Sequence, residues 1–179
     1  MLIDYVKNAI RVGEFILHPT HSKKLSIQTD PNLSKDDYRN EVGRVYFITI
    51  DGKIVKIGGS QCKGGIQGTI GAYLGGFAKG MSPRTYCVWN YLRQAISKGQ
   101  KAEIYMILAP MTTAKIPSMR EWRDVEIATD FHAIESFCVS EYLEQENDYP
   151  YLNMQESGMK WIDTGLLEGY PGIIETKNE

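Results

Sequence analysis

The stretch RVYFITIDGKIVKIG, from Arg44 to Gly58, decides the fold predicted for this chain of 179 residues. Two apolar runs flank Asp51-Gly52, and Asp-Gly between such runs is a strong hairpin signal, because a type I′ turn needs positive φ at both central residues. The first run is apolar at nearly every position, which predicts a strand covered on both faces. The second run ends in Lys56-Ile57-Gly58 and enters a glycine-rich segment. The polar side chains of Tyr46 and Lys56 are exceptions on this otherwise apolar hairpin.

Length and composition restrict the class of protein. A chain of 179 residues, of which 42% are hydrophobic, fits one domain with a sizeable core. It has no run of about 18 apolar residues, so we expect no membrane span, and its first residues lack the cleavage pattern of a signal peptide. The cysteines, at positions 62, 87 and 138, are far apart. This argues against a disulfide framework or a zinc site and favours a reducing, cytoplasmic setting.

Charge is distributed unevenly along the chain. The net charge is −2, yet residues 44–101 contain nine basic residues and a single acid, Asp51. Residues 121–179 contain 14 acids and three basic residues. This separation favours a basic surface for a polyanion on an otherwise acidic body, although charged residues that merely solvate different elements would give the same count.

The remaining segments predict helices around a small sheet. Apolar positions in residues 2–16 have roughly helical spacing, which predicts an N-terminal helix that Pro19 ends. Residues 28–42 form a polar connector with a short helix capped by Ser34. The later elements are predicted as a short helix near 66–74, a helix from Ser82 to about Ser97, a third strand from Lys101 to Ala109, a loop over 110–124, and a long helix from Ile127 to Glu144.

The order strand, turn, strand, glycine-rich connector, helix, strand, helix resembles the GIY-YIG nuclease superfamily over about residues 43–153. Val45-Tyr46-Phe47 and Lys56-Ile57-Gly58 occupy the places of its two signature triplets. The lysine in the second triplet, and its spacing from Tyr46, are similar to the type II restriction endonuclease branch of that superfamily.

The resemblance extends beyond the hairpin. Tyr73 corresponds to the tyrosine on the family's first helix, and Glu135 corresponds to its metal-binding glutamate. Leu152-Asn153 matches the small Leu-Asn pair that closes the fold. Each match is weak alone, whereas their shared order is moderately specific.

This resemblance implies an α+β (α/β) fold with a small three-stranded antiparallel sheet flanked by helices. Residues 1–42 would form an N-terminal helical extension, residues 43–153 the catalytic core, and residues 154–179 a C-terminal tail. The implied activity is that of a metal-dependent endonuclease that hydrolyses phosphodiester bonds in double-stranded DNA. Mg²⁺ or Mn²⁺ would be the cofactor, and a palindromic recognition site would favour a homodimer.

The residue types suit this chemistry. Phosphodiester hydrolysis needs an activated water and neutralisation of charge on the phosphoryl oxygens. Tyr46 would accept the proton of the water if its pKa fell from about 10, and Lys56 would favour the phenolate or relay the proton. Tyr73 would hydrogen-bond the scissile phosphate, and Glu135 suits one Mg²⁺ that retains several waters. The structural alternatives are a tyrosine in the core or rim and a glutamate on the wet side of its helix.

One departure from the family concerns arginine. The family carries an arginine four residues before the helix tyrosine, where this chain has Thr69, and no arginine lies between Gly58 and Tyr73. The basic residues expected to contact substrate are Lys63, Arg84 and Arg93. Of these, Lys63 or Arg84 would supply the missing charge. The alternative is a catalytically weakened GIY-YIG-like protein that binds DNA or a partner in a phage or defence system, and a nuclease directed at RNA would carry the same pattern.

Overall fold

The structure, a computed structural model, describes residues 1–75, 81–158 and 160–170. Its strands are β1 (Ile10–Leu17), β2 (Leu25–Thr29), β3 (Arg44–Ile50), β4 (Lys53–Ser60), β5 (Ala102–Leu108), β6 (Met111–Pro117) and β7 (Trp122–Ala128). Its helices are α1 (Lys35–Arg39), α2 (Ile66–Leu74), α3 (Pro83–Ser97), α4 (Phe131–Glu146) and α5 (Met154–Ser157), with 3₁₀ turns at Ile3–Tyr5 and Trp161–Thr164. Within these described ranges, no helix is both long enough and apolar enough to cross a membrane.

Five strands form one antiparallel sheet in the order β2-β1-β5-β3-β4. The three predicted strands are adjacent within it, and helices cover both of its faces, so the predicted α+β class is confirmed. The predicted size is wrong, because β1 and β2 extend the sheet beyond β5. Residues expected to form a helical extension therefore contribute two strands to the sheet of the core.

The predicted N-terminal helix is wrong. Leu2, Ile3 and Val6 lie at a 3₁₀ turn, whereas Ile10 and Phe15 lie in β1, where a β-bulge puts two residues that are five apart on one face. The register between β1 and β5 shifts by one residue between Arg11 and Gly13, so Val12 is an extra residue in β1. A bulge changes the face that the following residues occupy, and Val12 and Phe15 both enter the same hydrophobic core. Buried residues that are three apart imitate the spacing of an amphipathic helix.

The predicted hairpin is confirmed. Asp51 and Gly52 have φ values of 49° and 78°, so both central residues of the turn are left-handed, as a type I′ turn requires. The short helix at 66–74 and the helix that Ser82 caps also have the predicted positions.

A second bulge decides where Lys56 points. The register of the β3–β4 pair shifts by one residue between Ile48 and Thr49, and Val55 is the extra residue in β4. As a result, Lys56 pairs with Ile48 and shares a face of the sheet with Tyr46. A regular ladder would put Lys56 on the opposite face, because side chains alternate along a strand.

Leu152-Asn153 holds this bulged segment from the free edge of β4. The Leu152 N–H donates to the carbonyl oxygen of Val55 at 2.8 Å. The side-chain amide of Asn153 accepts from the N–H of Ile57 and donates to its carbonyl oxygen, both at 2.9 Å. These three bonds, which we call the edge clamp, satisfy backbone groups on both sides of Lys56.

The sheet separates two hydrophobic clusters. On one side, the α3 face, helices α2 and α3 cover the face that carries Tyr46 and Ile48. On the other side, the α4 face, helix α4 covers Val45 and Phe47. The two faces meet at the β4 edge, where the strand ends in Gly58-Gly59-Ser60.

Residues 110–124, predicted as a loop, instead belong largely to a second, two-stranded sheet of β6 and β7. Because β7 extends to Ala128, the long helix begins at Phe131 rather than at Ile127. The chain leaves the five-stranded sheet at Ala109, whose N–H donates to the carbonyl oxygen of Gly43.

The edge clamp predicts a pH-dependent effect of Asn153→Asp. The carboxylate still accepts from the Ile57 N–H, but it leaves the Ile57 carbonyl without its donor and puts a charge in a buried position. We expect the free energy of unfolding to fall by about 1–3 kcal/mol or more at neutral pH. Acidic buffer should recover part of the loss, because a protonated carboxyl group donates again. Urea denaturation measures both, with the exposed Asn32→Asp as control, and equal losses for the two variants would contradict the clamp.

Candidate active site

Two tyrosines form the centre of the candidate site. Tyr46, on β3, and Tyr73, on the last turn of α2, bring their hydroxyl oxygens to 2.8 Å. Both side chains are buried. The structure thus brings together two of the residues that the sequence analysis named, and Lys56 lies on the same face of the sheet, diagonal to Tyr46.

Two glycines of β4 make room for side chains from both faces. Gly58 pairs with Tyr46, and a Cβ at Gly58 would lie 2.5 Å from the Tyr46 hydroxyl oxygen. On the opposite face, a Cβ at Gly59 would clash with the carboxylate of Glu135 and with the ring of Phe131. Helix α4 thus delivers Glu135 to the edge of the sheet that Tyr46 reaches from the α3 face. The second triplet needs glycine because the side chains of the site fill the space around it.

Lys56 is fully buried, and its ammonium group has no hydrogen-bond partner among the described residues. Burial is the main reason that its pKa falls from an ordinary 10.5 to about 8. The Arg84 guanidinium acts in the same direction, whereas the carboxylates of Glu156 and Glu135 oppose it. An unpaired buried cation is costly to a fold, and such groups concentrate at functional sites.

The phenols behave differently from the expectation for Tyr46. Burial raises the pKa of Tyr46 well above its ordinary value, Tyr73 and Glu135 raise it further, and Arg84 opposes the rise. Burial also raises the pKa of Tyr73, against opposing effects of Tyr46 and Arg84. The expected fall in the pKa of Tyr46 is therefore absent from this structure, and of these three groups Lys56 has the pKa nearest to neutral pH.

Arg84 is the arginine that the structure brings to this cluster. It lies on the exposed first turn of α3, where its guanidinium donates to the side-chain oxygen of Gln155 at 3.0 Å. Gln155 lies two residues after Asn153 of the edge clamp, so this bond ties the start of α3 to the segment beside Lys56. The effects of Arg84 on the pKa values of Lys56, Tyr46 and Tyr73 have the sign of a nearby positive charge.

The position that carries the family's arginine has a different role here. The Thr69 hydroxyl lies 2.8 Å from the hydroxyl of Ser60, the last residue of β4. This bond joins α2 to the end of the strand but contributes no charge.

The other two predicted substrate contacts lie apart from the tyrosines. Lys63 is exposed in the turn before α2. Arg93 lies nine residues beyond Arg84 on α3, about half a turn around the helix, with its guanidinium 5.6 Å from the centre of the Trp89 ring. Both remain predictions as DNA contacts, and neither joins the cluster at Tyr46.

A metal ion would have one protein carboxylate at this site. Among the described residues, no group of three or more His, Cys, Asp or Glu side chains could hold a metal ion. Glu135 is partly exposed, and the imidazole of His132, one turn earlier on α4, has its Nδ1 at 3.9 Å from Oε2. A single hard oxygen donor fits Mg²⁺, which commonly keeps several waters and takes further ligands from a substrate phosphate.

Three features of the site had no clear signal in the sequence. They are the bulge at Val55, the bond between Arg84 and Gln155, and the influence of Glu156 on Lys56. Only the Leu152-Asn153 pair, which the resemblance singled out, pointed to this C-terminal segment as a support of the site.

Comparison with known proteins places the fold. No protein-family model and no curated protein matches the chain. Among solved structures, a variant of bacteriophage T4 EndoII is 16% identical over 78% of this chain and 92% of its own, with a TM-score of 0.50. The restriction endonuclease HPY188I, solved in complex with product DNA, is 21% identical over 83% of this chain and 81% of its own, with a TM-score of 0.48. The chain therefore has a fold similar to that of EndoII over most of its length.

The buried ammonium predicts that Lys56→Met stabilises the protein. Below a pH of about 8, Lys56 is charged in both the folded and the unfolded protein, so the folded protein bears the full cost of burying the charge. Between a pH of about 8 and the unfolded pKa of 10.5, the folded state has released the proton and the unfolded state has not, so this penalty declines as pH rises. We expect the variant to be more stable at pH 7 by on the order of 3 kcal/mol.

Chemical denaturation of the wild type and Lys56→Met as a function of pH measures this difference, with the exposed Lys98→Met as control. The difference should shrink as pH rises through this window. A variant that is less stable than the wild type at pH 7, or a difference that does not change with pH, would show that Lys56 is stabilised in the folded state.

The close approach at Gly58 predicts opposite effects for two glycine substitutions. Gly58→Ala should lower the free energy of unfolding by about 1–3 kcal/mol, because the methyl group forces the Tyr46 ring to move. Gly71→Ala, in α2 with open space around it, should raise the free energy by about 0.5–1 kcal/mol. Thermal denaturation compares the two, and a stable Gly58→Ala variant would refute the steric role of Gly58.

Proposed function

We propose that the chain is a metal-dependent DNA endonuclease of the GIY-YIG type, most similar to the type II restriction branch. The observation that carries this proposal is a fully buried, unpaired lysine that shares a face of the sheet with two hydrogen-bonded tyrosines. A structural role would not require an isolated ammonium group in this position, whereas proton transfer would.

Lys56 and Tyr46 would move the proton of the attacking water. The water oxygen attacks phosphorus as its proton passes to Tyr46. The phenol proton passes to the neutral amine of Lys56, which must come within hydrogen-bond distance in the complex because the two groups do not bond in the free protein. The bond from phosphorus to the 3′ oxygen then breaks, and that oxygen takes a proton from solvent. With its pKa near 8, Lys56 is neutral in about one molecule in ten at pH 7, so no phenolate needs to exist before the substrate binds. Tyr73 would hold the Tyr46 hydroxyl in place through the 2.8 Å contact.

Arg84 and Glu135 would neutralise the negative charge on the phosphoryl oxygens, Arg84 by direct contact and Glu135 through a metal ion. The exposed guanidinium of Arg84 would bind a phosphoryl oxygen, and it would replace the arginine that the family has at the position of Thr69. Glu135 would hold Mg²⁺ or Mn²⁺, which when bound neutralises charge on the phosphoryl oxygens. Lys63 and Arg93 would contact the DNA backbone away from the scissile bond, and a palindromic site would be cut by a homodimer.

A second candidate is a non-catalytic DNA- or partner-binding protein. It is favoured by Thr69, whose neutral hydroxyl bonds Ser60 in place of a charged side chain. Removing one contact to the transition state costs about 10²–10³ in rate, so a chain in which Arg84 fails to replace the missing arginine would bind DNA without cutting it.

Cleavage assays separate these functions. We expect the purified chain to cut some duplex DNA, unmodified or modified, with Mg²⁺ or Mn²⁺ and not with EDTA. Tyr46→Phe, Lys56→Met, Arg84→Gln and Glu135→Gln should each reduce the rate by about 10²-fold or more. The matched controls are Tyr5→Phe and Glu144→Gln, both at exposed positions, which should cut as the wild type does.

The results of these assays distinguish the nuclease from the binding protein. Cutting that survives both Tyr46→Phe and Glu135→Gln would refute the assignment of these residues. Tight, salt-sensitive binding to duplex DNA without cleavage of any substrate would favour the binding protein.

A further inference from the structure

The ribbon formed by β6 and β7 has no cover in the described structure. Its two strands pair only with each other, and every residue of β7 is exposed. An isolated two-stranded hairpin is marginally stable in water, so a ribbon of this length is expected to gain its order from something that binds it.

The tip of the ribbon is a hydrogen-bonded turn that presents apolar side chains. The Ser118 N–H donates to the carbonyl oxygen of Glu121 at 2.8 Å, and the Ser118 hydroxyl donates to the same oxygen at 2.7 Å. The Glu121 N–H donates back to that hydroxyl at 3.2 Å. This closed turn holds Met119 and Arg120 at its apex, where Met119 is fully exposed, and Trp122 beside the apex is 68% exposed.

Charge changes sign along the ribbon. The distal half, residues 115–124, contains three cations and two acids. The cations are Lys115, Arg120 and Arg123. The acid Glu121 is paired with Arg123 at 3.1 Å, and Asp124 lies opposite Lys115 in the register. The base of the ribbon instead carries Glu126. The positive charge is thus concentrated around the exposed methionine.

The ribbon begins at the end of the sheet that holds the candidate site. Its base is closed by a bond from the Thr129 N–H to the carbonyl oxygen of Pro110, and α4 with Glu135 follows directly. Seven residues per strand give a reach of about 24 Å, which corresponds to about seven base pairs of duplex.

The size of the ribbon argues against a second copy of the chain as its cover. One face carries Ala114, Ile116, Val125 and Ile127, as the pairing register requires. A two-stranded face of this length offers about 240 Å², whereas a stable interface buries about 800 Å² on each partner.

We propose that the ribbon is a DNA-binding arm whose tip enters a groove of the duplex, with Met119 as an apolar wedge at a base step and Arg120 and Arg123 on the flanking phosphates. Two-stranded ribbons bind DNA through the major or the minor groove, and methionine is among the side chains that open base steps from the minor groove and bend the duplex. The identity of the polymer rests on the proposed function, and the experiment below separates the two.

Binding and bending measured with EDTA, where no cleavage occurs, test the arm. The probe is a duplex of about 30 base pairs, longer than the ribbon, with a fluorescent dye at each end. Arg120→Gln should weaken binding and reduce the slope of log K against log salt by about 1. Met119→Ala should leave this slope unchanged and reduce the energy transfer that reports a bent duplex. Lys98→Gln, an exposed charge at the opposite end of the sheet, should change neither.

Each result decides a different question. Unchanged affinity, slope and energy transfer in Met119→Ala and Arg120→Gln would overturn the arm and leave the nuclease proposal standing. A wild type that sediments as a dimer and variants that sediment as monomers would also overturn it, in favour of a subunit interface. Ribbon-dependent binding by a chain that cleaves no substrate would support the arm and count against the nuclease, and absence of any duplex binding would overturn both.

Discussion

Strand β4 has one residue more than its partner strand β3 can pair. This extra residue determines the side of the sheet on which Lys56 lies. The extra residue is Val55, and the edge clamp bonds the backbone on either side of Lys56, at Val55 and at Ile57. A bulge is a local disruption of the ladder, so its position needs support from outside the strand. Here the support comes from residues about a hundred positions later in the chain. The candidate site therefore depends on the closure of the whole fold and not on the hairpin alone.

The site also carries features that stability alone would disfavour. Lys56 is buried without a hydrogen-bond partner among the described residues. Gly58 and Gly59 leave two positions near the end of the edge strand β4 without side chains. A methionine in place of Lys56 would be more stable there, and the two glycines are needed because Tyr46 and Glu135 occupy the space of their side chains. These departures coincide in space with the hydrogen-bonded pair of Tyr46 and Tyr73. Local conflicts with stability that cluster around titratable groups are the expected cost of function.

Sequence predicted the parts of the molecule that local chemistry determines. The Asp51-Gly52 turn, the caps at Ser34 and Ser82, and the third strand all follow from short-range rules, and the structure has them. The bulges at Val12 and Val55 were not predictable, because a register is a property of two strands and not of one.

The ribbon was missed for a different reason. Pro110 and Pro117 indicated a loop, although Val125 and Ile127 alternate with acids in the manner of a strand. At the candidate site, the family resemblance singled out the two tyrosines, Lys56 and Glu135, whereas the direction of the pKa shift of Tyr46 required knowledge of its burial.

The position of Arg84 has a consequence for the order of events at the site. Its charge lowers the pKa of Lys56 and opposes the rise in the pKa of Tyr46. The N-terminus of α3, where Arg84 lies, adds a partial positive charge of the same sign. A phosphate bound to Arg84 would offset both influences, because a negative charge near an amine raises its pKa. Lys56 would then become a stronger base when substrate is present. The cation that attracts the phosphodiester would thus keep the pKa of Lys56 low in the free protein, and the bound phosphate would let the lysine hold a proton more strongly in the complex.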